Sequence, residues 1–146
     1  MQTTIYIVLA FAMGLIMSIY LPMNSSVAKY VGSSIAANVI FFIVALLTSA
    51  LIFLLSGRWD TIHHLKDIPA FLYLAGFVSA FVVLGTTFLI PHIGARKFFI
   101  LLITGQIVMA IVVSHFGLLD SPQDPINMKK MIGAVLVLTG AIFSTY

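Results

Sequence analysis

The sequence predicts an all-α integral membrane protein, a bundle of five transmembrane helices, and three observations carry that reading. Of its 146 residues 62% are hydrophobic and 8% charged, and the mean hydropathy of +1.19 lies far outside the range of a soluble domain. Five apolar segments, at residues 3–23, 34–56, 70–90, 95–116 and 131–146, each approach the length of about 20 residues that a helix rising about 1.5 Å per residue needs to cross about 30 Å of hydrocarbon. Stretches such as 39–47 are apolar throughout, whereas a membrane β-barrel strand alternates with a period of two.

The first segment has no basic residue before it and no small-x-small cleavage signal after it, and it is longer than a signal-peptide core, so it reads as a retained span. Tyr6, Met13, Met17, Tyr20 and Asn24 fall at offsets of 7, 4, 3 and 4, which places them on one helical face. Packing, rather than a ligand-lining face, is the expected role of the Tyr and Met members. Pro22 bends or ends this helix, and Asn24-Ser25-Ser26 opens a polar connection through Lys29 and Gly32. Ser33 and Ser34 then form a helix-start signal.

The second segment carries Ser34, Asn38, Ala45 and Ser49 on one small and polar stripe. Asn38 is either glue between helices or a contact for a solute. In the loop 57–69, Trp59, Ile62 and Leu65 recur every three residues, which suits a turn of helix at the membrane interface. His63 and His64 point to different sides of such a turn and have no third ligand nearby in sequence, so no metal site is expected. The third segment presents Gly76, Ala80, Val83 and Thr87 on one face, with Gly85 and Thr86 beside it, a pattern for close helix packing.

The fourth segment is the candidate functional helix, because it holds the polar chemistry. Arg96 and Lys97 enter it, Thr104, Gln106, Ser114 and His115 punctuate it, and no further charge follows until Asp120. A central Arg or Lys costs roughly 3 kcal/mol against insertion, so such groups face an interior or a wet cavity, or snorkel to the interface. Lys97, Thr104 and His115 share a face, and Gln106 sits about 180° from Lys97 by helical geometry. After the turn-rich loop 118–130, the fifth segment aligns Gly133, Val137, Gly140 and Ser144, with Ala134 and Ala141 alongside. This smooth face packs either within the protomer or against a second one. No linker, internal repeat or low-complexity tract divides the chain, which reads as one domain over residues 1–146.

Topology is nearly balanced. Arg58, Lys66, Lys129 and Lys130 fall on the N-terminal side, and Lys29, Arg96 and Lys97 on the other. Four against three leaves the positive-inside rule almost neutral, with a slight preference for a cytoplasmic N-terminus. There is no cysteine, which removes disulfides, thiolate metal sites and cysteine nucleophiles. The four acidic residues, Asp60, Asp67, Asp120 and Asp124, all lie in loops and glutamate is absent. That argues against an intramembrane aspartyl protease and against an exporter that exchanges protons through a buried Glu. No HExxH, GxSxG, P-loop or dinucleotide fingerprint supports an enzyme. No cofactor is expected, and no basic and aromatic interleaving suggests nucleic acid.

Asn24, Gly32-Ser33, Phe42-Ile43-Val44-Ala45, Pro91-His92-Ile93-Gly94-Ala95, Gly105-Gln106 and His115-Phe116-Gly117 together resemble, in order and over nearly the whole chain, the YdcZ-type small inner-membrane proteins of the drug/metabolite transporter superfamily. Ser114 stands where that pattern usually has Asp, and Ala45 where Gly is common. The resemblance implies half of a ten-helix arrangement in which inverted five-helix repeats enclose a central site. It leads to the expectation of a secondary transporter or exporter of a small metabolite in the inner membrane, neutral or anionic for want of a membrane carboxylate. Asn24, Asn38, Arg96, Lys97, Gln106 and His115 are the expected solute-binding residues. Five helices are too few to enclose such a site, so an antiparallel homodimer of dual topology is expected. The alternative is a noncatalytic subunit or scaffold whose small-residue faces bind another membrane protein.

Overall fold

A computed structural model describes residues 2–145. It contains five long helices, α1 (Gln2–Val31), α2 (Ser34–Ser56), α3 (Leu74–Ile93), α4 (Ala95–Phe116) and α5 (Met128–Thr145), with short 3₁₀ segments at Trp59–Asp67, Ala70–Tyr73 and Leu118–Asp120. All five long helices have the length and hydropathy to cross a membrane. Tyr146, the last residue of the expected fifth segment, lies outside the described residues. The chain divides into two compact units, the first ending at His92 and the second beginning at Ile93. Apolar side chains such as Phe11, Leu46, Leu55, Phe81, Leu136 and Phe143 are exposed. In a bilayer such surfaces face lipid, where exposure of hydrocarbon carries no hydrophobic penalty.

In the first unit, α1 does not end at Pro22 as the sequence suggests, but runs on to Val31. The polar residues that look like a turn are satisfied within helical geometry. Ser25 donates to the Leu21 carbonyl at 3.3 Å and Ser26 to the Pro22 carbonyl at 3.1 Å, while Asn24 finds its partner on α3. In lipid a broken helix leaves backbone groups unmet, and neighbouring helices and hydroxyls offset what proline removes. At about 1.5 Å per residue α1 spans about 45 Å, more than the hydrocarbon thickness.

Gly32, at φ +74, turns the chain directly into α2, whose N-cap Ser33 accepts from the Ala36 N–H at 3.3 Å. Ala37 is wholly buried and Ala28 nearly so, so small residues permit the close approach of the α1–α2 hairpin, and Tyr20 stacks on Phe41 at 6.0 Å. The Trp59–Asp67 segment has three residues per turn, so Trp59, Ile62 and Leu65 eclipse on one side. Trp59 meets Phe53 edge-on at 5.8 Å, Tyr73 donates to the Leu65 carbonyl at 3.0 Å, and His64 lies 3.3 Å from Asp67. On α3, Val83, Thr86, Thr87 and Ile90 are buried.

The second unit is the antiparallel pair α4 and α5. Gly94, at φ +82 and ψ 148, precedes α4, and Gly117, at φ +61 and ψ 35, closes it with its N–H on the Val113 carbonyl. The connection back to α5 is tied to the end of α4 at several points. The Asp124 N–H donates to the Ser114 carbonyl at 2.8 Å, the Ile126 N–H to His115 Nδ1 at 3.1 Å and Gln123 to the His115 carbonyl at 3.4 Å. Lys130 pairs with Asp124 and donates to the Pro125 carbonyl at 2.8 Å. Asn127 starts α5 by accepting from the Lys130 N–H at 3.0 Å. On α5, Ala134, Val137 and Ser144 are half-buried and Ala141 is buried, whereas Gly133 and Gly140 are exposed.

Candidate functional site

Polar burial is concentrated in the first unit. Asn24, Ser25, Thr86 and Thr87 are between 1% and 6% exposed, in a chain whose interior is otherwise apolar among the described residues. Asn24 donates from Nδ2 to Thr87 Oγ1 at 2.7 Å, and Thr87 in turn donates to the Val83 carbonyl at 2.8 Å. Thr86 donates to the Val82 carbonyl at 2.7 Å. The result is a hydrogen-bonded relay from α1 into α3, formed because helical periodicity turns Asn24 and Thr87 toward the same seam.

Asn38 stands on the same unit, half-buried, with Nδ2 donating to the Ala80 carbonyl at 3.3 Å. Its Oδ1 is buried and has no partner among the described residues. An acceptor left in this state costs about 1–3 kcal/mol.

A cavity of about 240 Å³ opens beside the relay at the Gly32–Ser33 end of the hairpin. Ser25, Ser33, Ser34, Thr87, Lys29 and His92 line it; the Ser25 and Thr87 hydroxyls are already given to the Leu21 and Val83 carbonyls, which leaves Ser33, Ser34, Lys29 and His92 as the polar groups on offer. His92 Nδ1 is 2.6 Å from the Phe88 carbonyl; a carbonyl only accepts, so the hydrogen is on Nδ1 and Nε2 is the nitrogen left for other contacts. The lining contains no carboxylate. It offers several donors, acceptors of moderate strength and one fixed positive charge.

The expected site residues of the second unit are dispersed. Arg96, Lys97 and Gln106 are exposed on α4, and Lys97 lines a groove together with Thr104 and residues of α5. His115 is half-buried and fixes the loop before α5 through the Ile126 N–H, which assigns its hydrogen to Nε2 when neutral. Asn24 and Asn38 are thus placed in the first unit, and Arg96, Lys97, Gln106 and His115 in the second, with Gln106 apart from the Lys97 groove.

Thr86, Thr87 and Ser25 are polar partners that a sequence reading assigns to packing or to a turn. The adjacent threonines in an otherwise apolar helix were the available signal, muted because a helical Thr hides its hydroxyl on the carbonyl four residues back. The motifs Gly32-Ser33, Pro91 to Ala95 and His115-Phe116-Gly117 coincide with the chain's helix breaks, each containing a glycine at positive φ. These motifs therefore encode turns before they encode contacts with a solute.

A family model described as "Putative inner membrane exporter, YdcZ", within the drug/metabolite transporter group, matches residues 5–143. No curated protein and no solved structure matches the chain.

Proposed function

The chain belongs to the YdcZ family of multi-pass inner membrane proteins, and from that premise we propose that it is a secondary transporter that exports a small neutral or anionic metabolite. The observation that carries this reading is the hydroxyl-lined cavity with Lys29 and His92 over the Asn24–Thr87 relay. Polar and ionisable groups placed among membrane helices are costly and mark solute pathways by default. Lys29 and the hydroxyls suit a carboxylate, phosphate or polyol, and nothing in the lining compensates an organic cation.

One such unit leaves its cavity open, and a second copy closes it. An antiparallel homodimer, related by a two-fold axis in the membrane plane, reproduces the inverted repeat of ten-helix relatives and places two Asn24–Thr87 relays in one assembly. The scaffold reading is favoured by one feature, the exposed Gly133 and Gly140 face of α5, which suits a close helix partner. The same face serves the dimer.

Efflux of a panel of labelled solutes from proteoliposomes tests the transport reading. Saturable flux for neutral or anionic members is expected, falling about tenfold or more in Lys29→Gln, the order of magnitude of a lost charged hydrogen bond. No flux for any member by folded protein, with co-purification of a fixed partner, supports the scaffold instead. Robust flux of quaternary ammonium compounds overturns the charge assignment.

A further inference from the structure

Between α4 and α5 lies a groove of about 520 Å³, walled by Ile93, Leu101, Leu138, Ala141 and Ile142, with Lys97 and the hydroxyl-bearing Thr104 and Thr145 at its margins. Both threonine hydroxyls are turned onto carbonyls of their own helices, Thr104 onto Ile100 and Thr145 onto Ala141, so the channel surface is hydrocarbon. Lys97 belongs to the first turn of α4, which contains no acidic residue. A cation there opposes the helix dipole, so the helix gains nothing by keeping it. The ion pairs among the described residues are His64–Asp67 and Asp124–Lys130, and Lys97 has no carboxylate partner among those residues.

Dimensions narrow the occupant. Lys97 to Thr104 on α4, and Leu138 to Thr145 on α5 running the opposite way, each cover two turns, about 10 Å at about 1.5 Å per residue. A single leaflet contributes about 15 Å of hydrocarbon. The groove therefore runs from the helix ends, at headgroup level, most of the way to the bilayer centre, charged at the outer end and apolar below. A small polar metabolite gains nothing from such a wall, and a helix of a second copy leaves Lys97 unneutralised because the membrane segments contain no carboxylate.

We propose that this groove is a binding site for one acyl chain of an anionic phospholipid, with the phosphate or anionic headgroup held by Lys97. Its lining shares no residue with that of the solute cavity of the first unit, and Lys97 serves lipid and not solute.

The test uses the purified full-length protein in detergent, with binding read by native mass spectrometry and by thermal unfolding, without any transported solute. Phosphatidylglycerol is expected to bind about fivefold more tightly than phosphatidylcholine of the same chains, the factor for about 1 kcal/mol per basic residue near an anionic headgroup. Lys97→Gln removes the preference but keeps the residual affinity, Lys97→Arg retains it, and Arg96→Gln, outside the groove wall, retains it. Ala141→Leu, which fills the groove floor, weakens both lipids. Glycerol 3-phosphate, which has the anion without the chain, does not displace bound lipid. Equal affinity for the two lipids, equal loss in Arg96→Gln and Lys97→Gln, or displacement by glycerol 3-phosphate overturns the proposal. So does an Ala141→Leu variant that dissociates a dimer while leaving lipid binding intact. Because none of these readouts involves flux, their failure leaves the transport reading standing, and an absence of flux leaves this one.

Discussion

Asn24 of α1 donates its side-chain amide to the Thr87 hydroxyl of α3 at 2.7 Å, joining residues 63 positions apart in the sequence. The bond is buried, and Thr87 passes its own hydrogen to the Val83 carbonyl, so each polar group has a defined place in a hydrocarbon setting. Interhelical bonds of this kind contribute about 0.6 kcal/mol on average and up to about 1.7 kcal/mol, less than their burial suggests, because the unfolded chain in the membrane also finds partners. Asn24→Leu and Thr87→Val are therefore expected to show a coupling energy in that range in a double-mutant cycle, measured by unfolding in bicelles. A coupling near zero removes the bond as a fastener.

Asn38 behaves differently. Its one hydrogen bond, at 3.3 Å to the Ala80 carbonyl, is long, and its Oδ1 is buried without a partner. Replacing both liabilities with an apolar group of similar shape is nearly neutral for a folded protein. Asn38→Leu is expected to unfold within about 1 kcal/mol of the wild type in the same assay. A loss well above that value means that an unseen donor satisfies Oδ1.

The fold was legible where the physics is local. Apolar runs gave the helices, a period of three at Trp59, Ile62 and Leu65 gave the helical turn there, and of the expected face Gly76, Ala80, Val83 and Thr87 the last three lie on the buried side of α3 while Gly76 is exposed. Pro22, Asn24, Ser25 and Ser26 misled, because each is a turn former in water, and what keeps α1 going is back-bonding by Ser25 and Ser26 and a distant threonine. The role of His115 was also invisible, since its partner is a backbone N–H eleven residues away, and any residue carries one. Of the expected solute residues Asn24 is among the polar groups buried where α1 meets α3, whereas Arg96, Lys97 and Gln106 of α4 are exposed.

Gly94 and Gly117 are expected to resist substitution for backbone reasons alone. An added Cβ meets nothing within 4 Å at Gly94 and only ordinary contacts near 3.5 Å at Gly117. Their φ values of +82 and +61 remain in the region that side chains disfavour. Gly117→Ala should cost about 1–2 kcal/mol, and Gly94→Ala about 1–3 kcal/mol, since its ψ of 148 approaches a region occupied almost wholly by glycine. Equilibrium unfolding checks both, and a neutral Gly94→Ala means that this joint adopts another conformation.

His115→Leu is expected to loosen the connection between α4 and α5 without melting either helix. The Ile126 N–H loses its acceptor, while the Asp124 N–H to Ser114 bond and the Lys130–Asp124 pair remain. Hydrogen exchange should speed up at Ile126 and its neighbours and stay unchanged in the middle of α4. Export activity that falls with no change in exchange places His115 in contact with solute and not in the latch.

The proposed antiparallel dimer makes the sharpest demand on topology. On the five-span topology expected from the sequence, Lys29, Arg96 and Lys97 fall on one side of the membrane and Arg58, Lys66, Lys129 and Lys130 on the other. With four against three, insertion is expected to divide nearly evenly, because orientation follows the bias of Lys and Arg in short loops. If Lys97 sits in lipid-facing groove contacts and counts for less, the bias grows only to four against two. Two added lysines in the loop 118–127, which make the count six against three, should then commit most copies to one orientation, and four appended at the C-terminus, which make it four against seven, should commit them to the other. Either bias removes the inverted partner, so each variant alone should lose export, and co-expression of the two should restore it. Accessibility of a C-terminal tag from both faces of intact cells reads the wild-type distribution. Labelling from a single face, with both lysine variants fully active, eliminates the antiparallel pair and leaves a parallel one.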